Sequence, residues 1–212
     1  MRNKWFIISA IILIVVYCKG TLGLLSADLT EKNFFLKFTA LNILATAFAV
    51  LSHHKKWNSN FIWSCISVML FGFFIEVIGT KTGVIFGEYF YGKSLGIKLF
   101  DVPLILGINW LLLIYVISGF LSFVNNIFVF SSLAAFMMTS LDYLIEPVAL
   151  KLDFWQWQNG IIPTQNFVAW FVISTLLFYC VRKFTGKINN VFSTVVLFIQ
   201  FAFFLTLNIL LK

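Results

Sequence analysis

The stretch Leu104-Ile105-Leu106-Gly107-Ile108-Asn109-Trp110-Leu111-Leu112-Leu113-Ile114-Tyr115-Val116-Ile117-Ser118-Gly119-Phe120-Leu121-Ser122-Phe123 runs for twenty residues without one charged side chain. About 20 apolar residues in a helix cross the roughly 30 Å hydrocarbon layer of a bilayer. Lipid offers the backbone no hydrogen-bond partners, so such a run must be helical. Runs of the same kind recur in both directions: Trp5–Leu25, Phe34–Ser52 and Phe61–Ile78 before it, Phe128–Ile145, Asn166–Val181 and Val191–Leu211 after it. The pattern predicts an all-α, polytopic membrane helical bundle of about seven transmembrane helices. The sixth run is short and is expected to tilt or extend toward Ile162.

Composition agrees. Of 212 residues, 61% are hydrophobic and only 11% charged, against about 25% charged in a soluble domain. Phe, with 27 copies, suits a wall that faces lipid or an isoprenoid. The length accommodates one bundle, so residues 1–212 are read as a single transmembrane domain. The net charge of +7 comes largely from short loops between apolar runs, which is membrane topology rather than nucleic-acid binding. Cys18, Cys65 and Cys180 lie in apolar runs without metal-ligand spacing and are read as small core residues. Met1-Arg2-Asn3-Lys4 before an apolar run imitates a signal peptide. No small-x-small cleavage site follows, no lipoprotein box precedes Cys18, and apolar character resumes through Leu25, so an uncleaved first span is expected.

Seven spans put Arg2, Lys4, His53-His54-Lys55-Lys56 and Arg182-Lys183-Lys187 on one face, and Asp28, Glu31, Glu76, Glu88, Asp101, Glu146 and Asp153 on the other. Basic residues number roughly seven against eight, but they are concentrated in shorter loops on the first face. The N-terminus is therefore placed in the cytoplasm, with the acidic loops on the opposite side. Two long connections, Gly79–Pro103 and Glu146–Gln165, both emerge on the acidic face, and loops of such length tend to be functional.

Glu76 falls in the last turn of the third run, where an ionised carboxylate is costly. The Gly-rich segment after it is either a solvated loop held by pairs such as Lys81 with Glu88, or a re-entrant lid laying Glu88, Tyr89 and Tyr91 over a cavity. Asp142 lies inside the fifth run, and Glu146, four residues on, shares its helical face. An intramembrane acid is a functional-site hypothesis, against the plainer reading of a structural hydrogen-bonding group. Pro147 is expected to break the helix. Trp155 and Trp157 read equally as interfacial belt residues and as site residues.

Glu76-x-x-Gly79, Gly83-x-x-Phe86-Gly87-x-Tyr89-x-Tyr91, Val102-Pro103 with Trp110, Asp142-x-x-x-Glu146-Pro147 with Trp155-x-Trp157, and Pro163-x-x-Asn166-x-x-x-Trp170 follow one another in this order. Together they resemble the signature of the CruF-type carotenoid hydratase family of bacteria and archaea. The resemblance covers Glu76 to Trp170. It departs at two places: the family has Asp before the proline where this chain has Glu146, and Gly is common where Asp153 stands.

The resemblance implies hydration of the terminal (1,2) carbon–carbon double bond of an acyclic carotenoid end to a tertiary alcohol, by a hydro-lyase in the bacterial inner membrane. Its implied partners are a hydrophobic carotenoid, the lipid bilayer and other carotenoid enzymes. The chemistry needs an acid that protonates carbon and a water aimed at the resulting cation, with no metal and no organic cofactor. A carboxyl group in an apolar site is favoured in its protonated form. Asp142 is the expected acid and Glu76 the second choice, while Glu146 or Glu88 would hold and deprotonate the water. Tyr89, Tyr91, Trp155 and Trp157 would shield the cation through their π faces, by roughly 0.5–2 kcal/mol each. Trp110, Asn166 and Trp170 complete the substrate-binding set.

Other readings compete. A carotenoid end-group cyclase shares the protonation step. A prenyltransferase needs more Asp residues and basic partners than the one Asp-x-x-x-Glu pair provides. A transporter or ligand-binding seven-span protein is the non-enzymatic alternative, although inverted repeats are not evident and the seventh run has no lysine for a retinal Schiff base.

Overall fold

The computed structural model describes residues 2–211, and the side chain of Arg2, counted above on the basic face, lies outside the described residues. The helices are α1 (Arg2–Leu24), α2 (Leu29–Lys37), α3 (Thr39–Ser52), α4 (Ser59–Thr82), α5 (Ile105–Phe120), α6 (Ile127–Lys151), α7 (Thr164–Thr185) and α8 (Phe192–Leu210). Asparagine caps start two of them: Asn58 accepts from Phe61 N, and Asn126 accepts from Phe128 N and Val129 N, filling donors that lipid cannot. Six helices are long and apolar enough to cross a membrane, and the pair α2 and α3, bent by 43°, brings the number to seven. The chain is thus a polytopic helical membrane bundle.

Three expectations change. The run Phe34–Ser52 is a broken span rather than one helix, because α2 carries Glu31, Lys32, Asn33 and Lys37, which hydrocarbon does not accept. The fourth helix continues to Thr82, so Glu76 sits roughly two turns inside its end. Pro147 does not end α6, which runs through it to Lys151. Proline removes one N–H from the ladder, the one that would reach Tyr143 O; one residue on, Asn208 Nδ2 bonds Leu144 O at 3.1 Å and ties α6 to α8. Packed among other helices, a membrane helix can carry a proline without ending there.

The fifth helix is apolar all round and almost wholly buried, as befits the central element of a bundle. Around it, large apolar side chains such as Phe48, Trp63 and Phe136 point outward, a surface suited to lipid. Cys18 and Cys180 are also exposed and so do not belong to the core. Bonds between loops group the ends: Arg182 Nη2 to Val124 O and Lys187 Nζ to Asn125 Oδ1 join one face, and Lys151 Nζ to Leu211 O joins the other.

With the helices lengthened, the two long connections shrink to residues 83–104 and 152–163. They pair with each other. Strands β1 (Tyr89–Tyr91) and β4 (Trp155–Trp157) form an antiparallel ribbon with Tyr89 opposite Trp157 and Tyr91 opposite Trp155. Strands β2 (Lys98–Leu99) and β3 (Val102–Pro103) form a tight hairpin. Its two turn residues, Phe100 and Asp101, have φ of 56° and 68°, the twist that suits a two-residue connection.

Candidate active site

Alternation along a strand sends neighbouring side chains to opposite faces. In β1 this turns Tyr89 and Tyr91 down into the bundle and Phe90 outward. In β4, Trp155 and Trp157 also turn down, and the ribbon becomes a roof over the ends of α4 and α6. Gly79 on α4 lets the roof settle, since a Cβ there would stand 2.6 Å from Phe86 and 3.0 Å from Tyr89 Oη.

Beneath the roof lies a cavity of about 550 Å³. It is lined by Glu76, Tyr89, Tyr91, Trp110, Asp142, Glu146, Trp155, Trp157, Asn166 and Trp170, together with apolar side chains of α1, α2, α3 and α8. Glu88 is exposed, outside this lining, which corrects the reading that laid it over the cavity. Its side chain stands next to β1's inward residues in sequence, and the strand's alternation turns it out. The expected pairing of Lys81 with Glu88 is also replaced: Lys81 Nζ bonds Asp101 Oδ2 at 2.5 Å, an exposed ion pair.

Each acid has its own set of donors. Glu76 Oε2 accepts from Tyr89 Oη at 2.6 Å and Tyr91 Oη at 2.7 Å, while its Oε1 accepts from Trp110 Nε1 at 3.0 Å. Glu146 Oε2 accepts from Trp155 Nε1 at 3.0 Å and Trp157 Nε1 at 2.9 Å. The amide of Asn166 bridges the remaining pair: Nδ2 donates to Glu146 Oε1 at 3.0 Å and to Asp142 Oδ2 at 3.1 Å. Three donors hold each glutamate, whereas Asp142 receives one. The tyrosines and tryptophans expected to shield a cation with their faces are therefore first of all donors that fix carboxylates. Trp110 and Trp170 stack face to face, with centroids 4.4 Å apart and planes within 5°, and add a flat apolar wall.

The roof's phenols are held as donors. Burial, and then the charge of Glu76, push the hydroxyls of Tyr89 and Tyr91 well above their usual value of 10.0. Among the described residues, no three His, Cys, Asp or Glu side chains gather closely enough to hold a metal ion.

Asp153, the second departure noted in the sequence, is explained by its backbone. Its φ is 54°, a left-handed conformation that glycine adopts without strain and aspartate tolerates. Its Oδ2 accepts from Lys93 N at 3.2 Å, outside the cavity. Cavity residues that the sequence reading did not single out include Tyr17, Lys19, Asn42, Asn109 and Gln200. Their signal was available, for each is a lone polar group inside an apolar run.

These observations define a class: a polytopic helical membrane protein that keeps carboxyl groups in a roofed, largely apolar cavity. The chain belongs to the carotenoid biosynthesis protein family, whose profile matches residues 34–212. It is 28% identical over 129 residues to a bisanhydrobacterioruberin hydratase of Haloarcula japonica, an alignment covering 53% of this chain and 43% of that protein. No solved structure matches.

Proposed function

We infer that the protein adds water across the terminal carbon–carbon double bond of an acyclic carotenoid end, giving a tertiary alcohol. The observation that carries this reading is the inequality among the three cavity carboxyls. Hydrogen bonds to a carboxylate favour its charged form. Glu76 and Glu146 have three donors each and Asp142 one, so Asp142 is the carboxyl best suited to carry the proton.

The steps balance without a further reactant. Asp142 gives its proton to the less substituted alkene carbon; the π pair forms the new C–H bond and leaves a tertiary cation. A water held by Glu146 attacks the cation through oxygen, and Glu146 takes the proton that the new oxonium releases. That proton returns to Asp142, one helical turn away, and both carboxyls regain their starting state. Glu76, whose three donors favour its charged form, and the apolar Trp110–Trp170 wall favour a cation in this space and limit stray water.

The name of the Haloarcula relative, a hydratase, supports water as the captor of the cation. A cyclase would use the same first step and let a second double bond of the substrate take water's place. Expression in a lycopene-accumulating host separates the readings by mass. Hydration adds one water per modified end, cyclisation adds none, and a transporter leaves the pigment unchanged. Asp142→Asn is expected to lower product by at least a hundredfold at normal membrane expression, and full activity in that variant removes Asp142 from the acid role.

A further inference from the structure

We propose that Asn166 is a positioning residue: its amide keeps the proton of Asp142 out of a direct hydrogen bond with Glu146 and holds it on Oδ1. This assignment rests on Asp142 being the acid of the reaction. To the substrate contact expected of Asn166 it adds an action through the two carboxyls.

Two carboxyl groups four residues apart on one helix face reach each other by side-chain rotation alone. In a water-poor cavity a carboxylic acid beside a carboxylate forms a direct O–H···O⁻ bond, a dyad in which two acids share one proton. Such a bond is short and strong. A proton engaged in it is withheld from an alkene carbon, which is a far weaker base. Asp142 and Glu146 meet the conditions for that pairing, since both are buried on α6 and line the same cavity. Asn166 Nδ2 stands between them, 3.1 Å from Asp142 Oδ2 and 3.0 Å from Glu146 Oε1.

The local sequence puts the amide there. Pro163 caps the start of α7, and Asn166 falls in its first turn with its backbone N–H on Pro163 O at 3.0 Å. An asparagine at a helix start ordinarily turns its side-chain oxygen to the helix's own free N–H groups. This one is 2% exposed and turns its nitrogen to α6 instead. An amide nitrogen donates two protons and accepts none. Both are spent, one on each acid, so Asp142 Oδ2 acts as the carbonyl oxygen and the acidic proton belongs to Oδ1. That atom takes no bond from the described residues and is not sealed off as Asn42 Oδ1 and Gln200 Oε1 are. Glu146 has three of its roughly four acceptor positions filled, by Trp155, Trp157 and Asn166. The one left, on Oε1, serves the proton that water releases.

Infrared spectroscopy of the full chain in detergent reads the proton through the C=O stretch of a protonated carboxyl group, and Asp142→Asn identifies the band by removing it. In the wild type the band is expected where an acid without a strong partner absorbs. Glu146→Met, which takes away the carboxylate that would share the proton, is expected to leave it there. Asn166→Leu, close in volume and unable to donate, is expected to lower and broaden the band as the two acids close on one proton. Asn166→Leu/Glu146→Met is expected to restore it. Steady-state conversion of lycopene is expected to lose about a hundredfold in kcat in Asn166→Leu with KM within about twofold, because the proton is withheld while the substrate contacts stay. A mere tie between α6 and α7 would lower the thermal midpoint and leave the band in place, which overturns the proposal. So does a wild-type band that shifts in Glu146→Met, whether or not the Asn166 variant folds, since the proton is then already shared. Absence of any band that depends on Asp142 removes the acid, and the role of Asn166 with it. An Asp142 band that Asn166→Leu moves, in a chain that leaves lycopene unchanged, keeps the positioning role and removes the hydration reading.

Discussion

The hydroxyls of Tyr89 and Tyr91 spend both of their protons on one oxygen, Glu76 Oε2. That arrangement has a consequence for stability against pH. The folded protein keeps both phenolic protons above their usual value of 10.0, because burial and Glu76 oppose their release. The unfolded chain gives them up near that value. Below about pH 10 both states hold the protons and the contribution is full. Above it the unfolded state binds fewer protons, so stability falls with rising pH, by up to about 1.4 kcal/mol per pH unit for each tyrosine. Thermal midpoints in detergent are expected to fall more steeply between about pH 9.5 and 11 in the wild type than in Tyr89→Phe/Tyr91→Phe. Parallel slopes would show that the phenols are not buried donors. Most of the candidate residues were legible in the sequence, because an acid within an apolar run stands out. Their partners were not: Glu76 takes its donors from 13, 15 and 34 residues away, and no local pattern encodes which tyrosine turns inward.

Between residue and molecule stands the ribbon of β1 and β4, which converts two loops into one roof. Gly92 is its tightest point. A Cβ there would lie 2.0 Å from Asp153 O, a backbone atom that no side-chain rotation moves, and Gly92 N bonds Phe154 O at 2.9 Å. Gly92→Ala must push the two connections apart, at about 1–3 kcal/mol. The ribbon's inward residues supply four of the seven donor bonds to the acids, so activity is expected to fall by more than tenfold. The span helices pack independently of this contact, and insertion is expected to persist. Faster tryptic cleavage at the exposed Lys93 checks the opening directly, and unchanged cleavage with unchanged activity would refute the account. Sequence reading found both connections by length, the first also by its Gly content, and missed their pairing, which joins residues more than sixty apart. It also ended α6 at Pro147, because local propensity does not see the packing of α6 against α7 and α8.

At the scale of the whole molecule the question is how the proposed polyene substrate reaches the acids. Val15 and Val16 on α1, Phe34 on α2, Phe38 at the bend and Leu41 on α3 all line the cavity, yet they are 42–56% exposed on the outer surface. Residues with both properties mark a mouth, and this one opens between α1 and the broken span onto a side of the bundle clad in apolar side chains. The carotenoid proposed as substrate would dissolve in that lipid, so its natural path is lateral, with the reacting end entering first and the rest of the chain left in the bilayer. Val16→Trp adds a large ring at the mouth and removes none of the donors of Glu76, Asp142 and Glu146. It is expected to slow conversion of a long carotenoid by about tenfold, the scale of a 1.4 kcal/mol barrier, and to leave calorimetric binding of a short isoprenoid such as nerolidol within about twofold. Entry from the aqueous side through the roof would give a different result: Val16→Trp would then be silent, and loosening the ribbon with Gly92→Ala would speed uptake instead of disabling the site.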